Sequence, residues 1–188
     1  QMQVQITTEA AGRYRPAEQR ALVETLRPAS VSVALREITA EPDIGVTRRF
    51  FGFCAEAGIA VQHILYDAAE VARFGALRAE GVIPEGRPQV LHVLGRYVTG
   101  QRASPEDLAA PLAAQARLPV VPDWAACAFG PAESACLLAA RRAGGKVRIG
   151  FENNLFRPGG EMAADNAAQV ADFLRLVAAA AGPVGPTA

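Results

Sequence analysis

The stretch Val147-Arg148-Ile149-Gly150-Phe151-Glu152-Asn153-Asn154 reads as a short strand that runs into three adjacent polar residues, followed by Arg157-Pro158-Gly159-Gly160. An arginine four residues before a Glu-Asn-Asn strand end has the form of an α/β active-site edge, because chemistry collects at the C-terminal ends of parallel strands. An ordinary strand entering a solvated turn would look the same. Upstream of this stretch, five more apolar runs begin at Gln3 (QVQIT), Val31 (VSVAL), Ile59 (IAVQHIL), Gln89 (QVLHVL) and Asp123 (DWAACAF). With the run at Val147 they recur every 24 to 34 residues, close to one strand–helix–strand unit. Several are apolar on both faces, as strands sandwiched in a parallel sheet are.

Helices with legible ends fill the intervals. Pro16 followed by Ala-Glu suits the first turn of a helix reaching about Leu26. The segment Thr47 to Ala57 ends at Gly58, and Asp67 with Glu70 has capping-box spacing for a helix to about Glu80. Ser104-Pro105-Glu106-Asp107 joins an N-cap, an N1 proline and two acids in the first turn. Pro131 to Ala143 ends at Gly144-Gly145, and a last amphipathic helix spans about Asp165 to Ala180 before a Gly/Pro tail.

Composition bounds the function. The 188 residues suffice for one domain with a sizeable core, and half of them are apolar. Lys plus Arg and Asp plus Glu balance at 19 each, which argues against a nucleic-acid surface. No apolar run approaches a membrane span, and the N-terminus Gln1-Met2-Gln3-Val4-Gln5-Ile6 does not read as a signal peptide. Three cysteines without CxxC spacing suit buried thiols in a reducing compartment, hence a cytoplasmic α/β protein.

Six β-α units fit either an open doubly wound sheet or part of a barrel, whose closed form has eight units over roughly 250 residues. No GxGxxG follows the first strand and no GxxxxGK[ST] occurs, so a nucleotide-binding open sheet is disfavoured. The expected fold is therefore an α/β (β/α)8 TIM barrel, of which about six units are present. Its domain covers residues 1–181, with a C-terminal tail over 182–188. All six strand ends are polar or glycine: Thr7-Thr8-Glu9, Arg36-Glu37, Tyr66-Asp67, Gly95-Arg96-Tyr97, Gly130 and Glu152-Asn153-Asn154. Asp67 is also explained as a helix cap, and Arg36, Glu37 and Arg96 as mutual ion pairs. His63 and His92 lie inside neighbouring strands, either as a shared metal or substrate site or as strand-face residues. Cys127, among small apolar residues, reads as a buried thiol.

With these strand ends in view, GGKVRIGFENNLF resembles the GGNVRVGLEDNLY segment of the β-keto acid cleavage enzymes, the group that includes 3-keto-5-aminohexanoate cleavage enzyme. Asp165-Asn166-Ala167-Ala168-Gln169-Val170 is similar to that family's SNAALV, VQITTEA to its third-strand ITTGG, LRPASVSVAL to LRPEMASLN, and SPEDL to HPEDL. The resemblance covers nearly the whole chain in the same order. It implies a (β/α)8 barrel holding a divalent metal, usually zinc, and an acyl transfer in which a β-keto acid and acetyl-CoA become acetoacetate and a new acyl-CoA. Carried over by position, Glu152 is the metal ligand, Arg148 the arginine near the transferred carbonyl, and Thr7 or Thr8 the hydroxyl that contacts substrate. The partners implied are a small β-keto acid and a CoA ester, with a homo-oligomer as the family's usual state.

Two departures stand out. The resemblance makes the first run the third strand, so this chain carries strands 3–8, and an N-terminal portion with the family's LHxH is expected to precede it. The family's Glu-Asp pair is Glu152-Asn153 here, so Asn153 occupies a catalytic position with an amide that cannot act as a base. The acids of the family's FEFE strand likewise align with Gln62 and Ile64. A metal-free or non-catalytic small-acid-binding barrel, and a CoA-independent lyase or aldolase, are the alternatives.

Overall fold

A computed structural model describes residues 3–181. The order is β1 (Ile6–Thr7), α1 (Pro16–Leu26), β2 (Ser30–Ala34), α2 (Leu35–Ile38), α3 (Ile44–Glu56), β3 (Ala60–Leu65), α4 (Ala68–Ala79) and β4 (Gln89–Leu94). A 3-10 turn (Pro105–Leu108) leads into α5 (Ala109–Gln115), followed by β5 (Asp123–Ala128), α6 (Glu133–Arg142), β6 (Lys146–Val147) and α7 (Asn166–Ala181). The six strands form one parallel sheet in the order β1-β2-β3-β4-β5-β6. This sequential order departs from a doubly wound sheet, whose strand order reverses at a switch point.

The chain divides into two compact units: one runs up to His92 and includes Ala110–Trp124, and the other joins Val93–Ala109 to the chain from Ala125 onward. In the first unit, Val33 pairs with His63, His63 with Val90, and Leu65 with His92. Paired residues of parallel strands share a face, so these side chains line one side of the sheet. Phe51 of α3 and Phe74 of α4 pack on His63, with ring centroids 5.2 and 5.0 Å away, which identifies that side as the helix-covered one. The other face carries a polar row in register, Thr7, Ser32, Gln62 and Gln89. Phe50, Phe74, Leu35, Ile38 and Leu65 are fully buried in this unit. In the second unit the core is built of smaller groups, Cys136, Leu137 and Ala140 of α6 with Ala126 and Ala128 of β5.

Local chemistry explains most boundaries. Asp67 caps α4 by accepting the Glu70 N–H at 2.8 Å. The return bond from the Glu70 carboxylate goes to the Tyr66 N–H at 3.0 Å, one residue before the cap. Asp43 caps α3 by accepting the Gly45 N–H, so this helix begins three residues before the expected Thr47. Glycine and the β-branched Ile44 and Val46 weaken that start in the sequence.

Three expectations need correction. The first run pairs only at Ile6–Thr7, because Val4 lies open to solvent beyond the ladder. The run VSVAL stops as a strand at Ala34, and Leu35–Ile38 winds into a helical turn. Most consequentially, the last strand is only Lys146–Val147, and after Arg148-Ile149 the chain turns at Gly150 to Asn153. The carbonyl of Gly150 accepts the N–H groups of both Asn153 and Asn154, which pulls the chain out of the extended form. The tail over 182–188 lies outside the described residues. Among the described residues no helix is long and apolar enough to cross a membrane.

Candidate active site

In the second unit the site begins where β6 stops. The Arg148 N–H still donates to the Ala126 carbonyl at 2.9 Å, so its Cα is held by the β5 backbone while its side chain leaves the sheet. That side chain forms an ion pair with Glu152 across the turn, with both groups part-exposed. Asn153 and Asn154 turn the other way and are buried. The Asn153 carbonyl accepts the Gly130 N–H at 3.0 Å, and its side-chain amide lies beside the Cys127 thiol. Asn154 braces the turn: its amide spans the N–H and carbonyl of Phe156, donates to Glu133 at 3.3 Å, and its backbone carbonyl accepts from Gln169 at 2.7 Å. The sequence had placed Glu152, Asn153 and Asn154 together on a rim; only Glu152 faces outward with Arg148.

Gly130 is required here by its backbone. Its φ is +92°, and a Cβ would come within 2.5 Å of the Gln101 carbonyl. The Cys127 thiol beside it is pushed up to about 12, first by burial, with Glu152 and Glu133 adding and Arg148 and the Asn153 amide opposing. It stays protonated at neutral pH and is no nucleophile, in keeping with its reading as a structural thiol.

In the first unit the two threonines separate in role. The Thr8 side chain is buried and its hydroxyl donates to the Ser32 carbonyl at 3.3 Å. Thr7 is exposed, and its hydroxyl oxygen accepts the Glu9 N–H at 3.2 Å, which leaves its proton to donate outward. Both line an open groove of about 560 Å³ with Glu9, Tyr14, Gln19 and Leu22. Glu37 supports this strand end from below, accepting from the Ala10 N–H at 2.7 Å and from Gln19 at 2.9 Å, while Gln19 also donates to the Thr8 carbonyl. Arg36 is bound to Glu70, reaches Asp67 at 3.1 Å, and lies 4.6 Å above the Tyr66 ring. The polar ends of β2 and β3 thus largely serve one another.

The histidines are strand-face residues. They sit two register positions apart, His63 between Phe51 and Phe74, and His92 bonded through Nε2 to the Gln115 carbonyl oxygen at 2.8 Å. Burial, aided by Arg78, pushes His63 down to about 3 from an ordinary 6.5. A base depressed in the folded state stabilises the fold fully above pH 6.5, and that stability is lost as pH falls toward 3. Relative to His63→Leu, the wild type should lose about 1.4 kcal/mol of unfolding free energy per pH unit below 6.5, read from urea titrations at several pH values.

Among the described residues, no group of three or more His, Cys, Asp or Glu is placed to hold a metal ion. Glu152 is a single carboxylate already engaged by Arg148, whereas a zinc site needs three or four donors. These residues alone do not fit a metal centre.

Glu133 and Gln169 were not visible as site residues in the sequence. Glu133 reads there only as an acid in a helix first turn, and Gln169 as one polar position of an amphipathic helix. Compared with known proteins, residues 1–187 match the family model described as beta-keto acid cleavage enzyme. A search among curated proteins finds no match.

Proposed function

Because the chain belongs to the β-keto acid cleavage enzyme family, we propose that it catalyses acyl transfer on a β-keto acid, converting the keto acid and acetyl-CoA to acetoacetate and a new acyl-CoA. The observation that carries this reading is the exposed Arg148–Glu152 pair on the turn after the last strand. A guanidinium fixed at its Cα by the sheet can stabilise the negative charge that develops on a keto oxygen. Glu152 accepts from that guanidinium and so limits its rotamers. The outward hydroxyl of Thr7, rather than that of Thr8, suits a donor to substrate. The sequential strand order supports reading the sheet as six units of a (β/α)8 barrel.

Asn153 at the family's acidic position can hydrogen-bond but cannot take a proton, so its part is to hold the turn against β5. The family's divalent metal, with Glu152 as one ligand, belongs to this proposal by resemblance. The described residues do not supply the donors to complete it. The three buried free thiols support a cytoplasmic setting.

Mass spectrometry tests the proposal. The purified whole protein is incubated with acetyl-CoA and a series of β-keto acids of different chain length. Acetoacetate together with the matching acyl-CoA is expected. Cleavage products that form without acetyl-CoA would replace it with a lyase reading. The Asn153 amide favours a second reading, small-acid binding without turnover, and bound keto acid with no product across the series would establish it.

A further inference from the structure

We propose that Glu133 is the positioning residue of the Gly150–Asn154 turn, its carboxyl group tying down the turn at Asn154. Glu133 is the first residue of α6 and is 2% exposed. Its Oε2 accepts from the Asn154 side-chain amide at 3.3 Å, and the Asn154 backbone N–H in turn donates to the Gly150 carbonyl at 3.3 Å. Gly150 and Asn154 bracket Phe151, Glu152 and Asn153, so this group fixes the base of the loop from which Glu152 projects. Gln169 of α7 and Gly130 hold the turn from two further directions, each through a backbone carbonyl. Glu133 is the acidic member of this set, and its Oε1 has no partner.

A buried carboxylate with one unpartnered oxygen is costly when charged. Burial accordingly pushes Glu133 up to about 7, against the pull of the Asn154 amide and the Gly150 N–H. The ionisable groups around Glu133 and its two neighbouring thiols are Cys127 of β5, Cys136 on α6, Arg148 and Glu152 on the turn, and Glu106 and Asp107 on the 3-10 turn. Cys127 and Cys136 are pushed up to about 12 and about 11 by burial, so both thiols stay neutral. Arg148 is paired with Glu152. Ionised, Glu133 accepts the Asn154 side-chain N–H more strongly than it does as the acid, so the turn tightens as pH rises through its midpoint.

The assignment stands on the turn's geometry, while its bearing on turnover rests on the function proposed above. A readout that needs no substrate therefore separates the two. In NMR titrations of the whole protein, the Gly150 amide and the Asn154 side-chain NH₂ should shift with pH at the same midpoint as the Glu133 carboxyl carbon. In Glu133→Gln both responses should vanish while circular dichroism is unchanged. Gly150 and Asn154 signals that stay fixed from pH 5 to 9 in the wild type, or that follow a different midpoint from Glu133, would overturn the proposal. The wild-type measurement decides the matter even if the variant does not fold.

Discussion

Arg148→Gln should lower kcat/KM for the proposed β-keto acid cleavage by about 10²- to 10³-fold, the usual cost of removing one preorganised donor to a developing oxyanion. Gln retains hydrogen-bonding capacity but no charge, so the loss reports the cation. The same change removes the ion pair to Glu152, but that pair is part-exposed, and such pairs contribute roughly 0–1 kcal/mol. Activity and stability should therefore part company. Steady-state kinetics show the large fall while the urea midpoint moves little. A midpoint that collapses with the activity would make Arg148 a structural residue and leave the proposed chemistry without its cation.

Phe74→Ala should destabilise the fold by about 3–5 kcal/mol, as expected when a fully buried aromatic ring is truncated in a packed layer. Its ring sits 5.0 Å from His63, itself flanked on the other side by Phe51. These neighbours belong to α3 and β3, so they cannot collapse into the space without moving both elements. Urea unfolding should show a lower midpoint at an unchanged slope. A loss below about 1 kcal/mol would mean that the α4 layer repacks freely, contrary to the close packing of protein interiors.

Elements whose ends are set by neighbouring residues were legible in the sequence. β4 runs from Gln89 to Leu94 as expected, between Pro88, which cannot donate to a ladder, and Gly95, whose φ is +77°. α1 runs from Pro16 to Leu26 because a proline at the first helical position leaves no donor unsatisfied. The last strand was misread for a reason of the same kind. Val-Arg-Ile-Gly-Phe alternates as a strand would, but the chain folds back on the Gly150 carbonyl after only two paired residues.

The site was legible to a different depth. Arg148 and Glu152 stand four residues apart near a strand end in the sequence, and the turn brings them into one ion pair. Thr7 and Thr8 could not be told apart, since an exposed and a buried hydroxyl look alike until the neighbouring strand is in place. The ordinary reading of the two histidines prevailed for the same reason: aromatic and amide partners from three helices surround them.

The period of apolar runs, the helix caps and the order of motifs come from interactions within a few residues or from regular alternation, and the sequence by itself determined them. The tertiary structure alone decided which polar side chains turn inward. Glu133 meets Asn154 across 21 residues, and Gln169 meets it across 15. Burial and ionisation depend on what distant segments place around a group, and no local pattern encodes that.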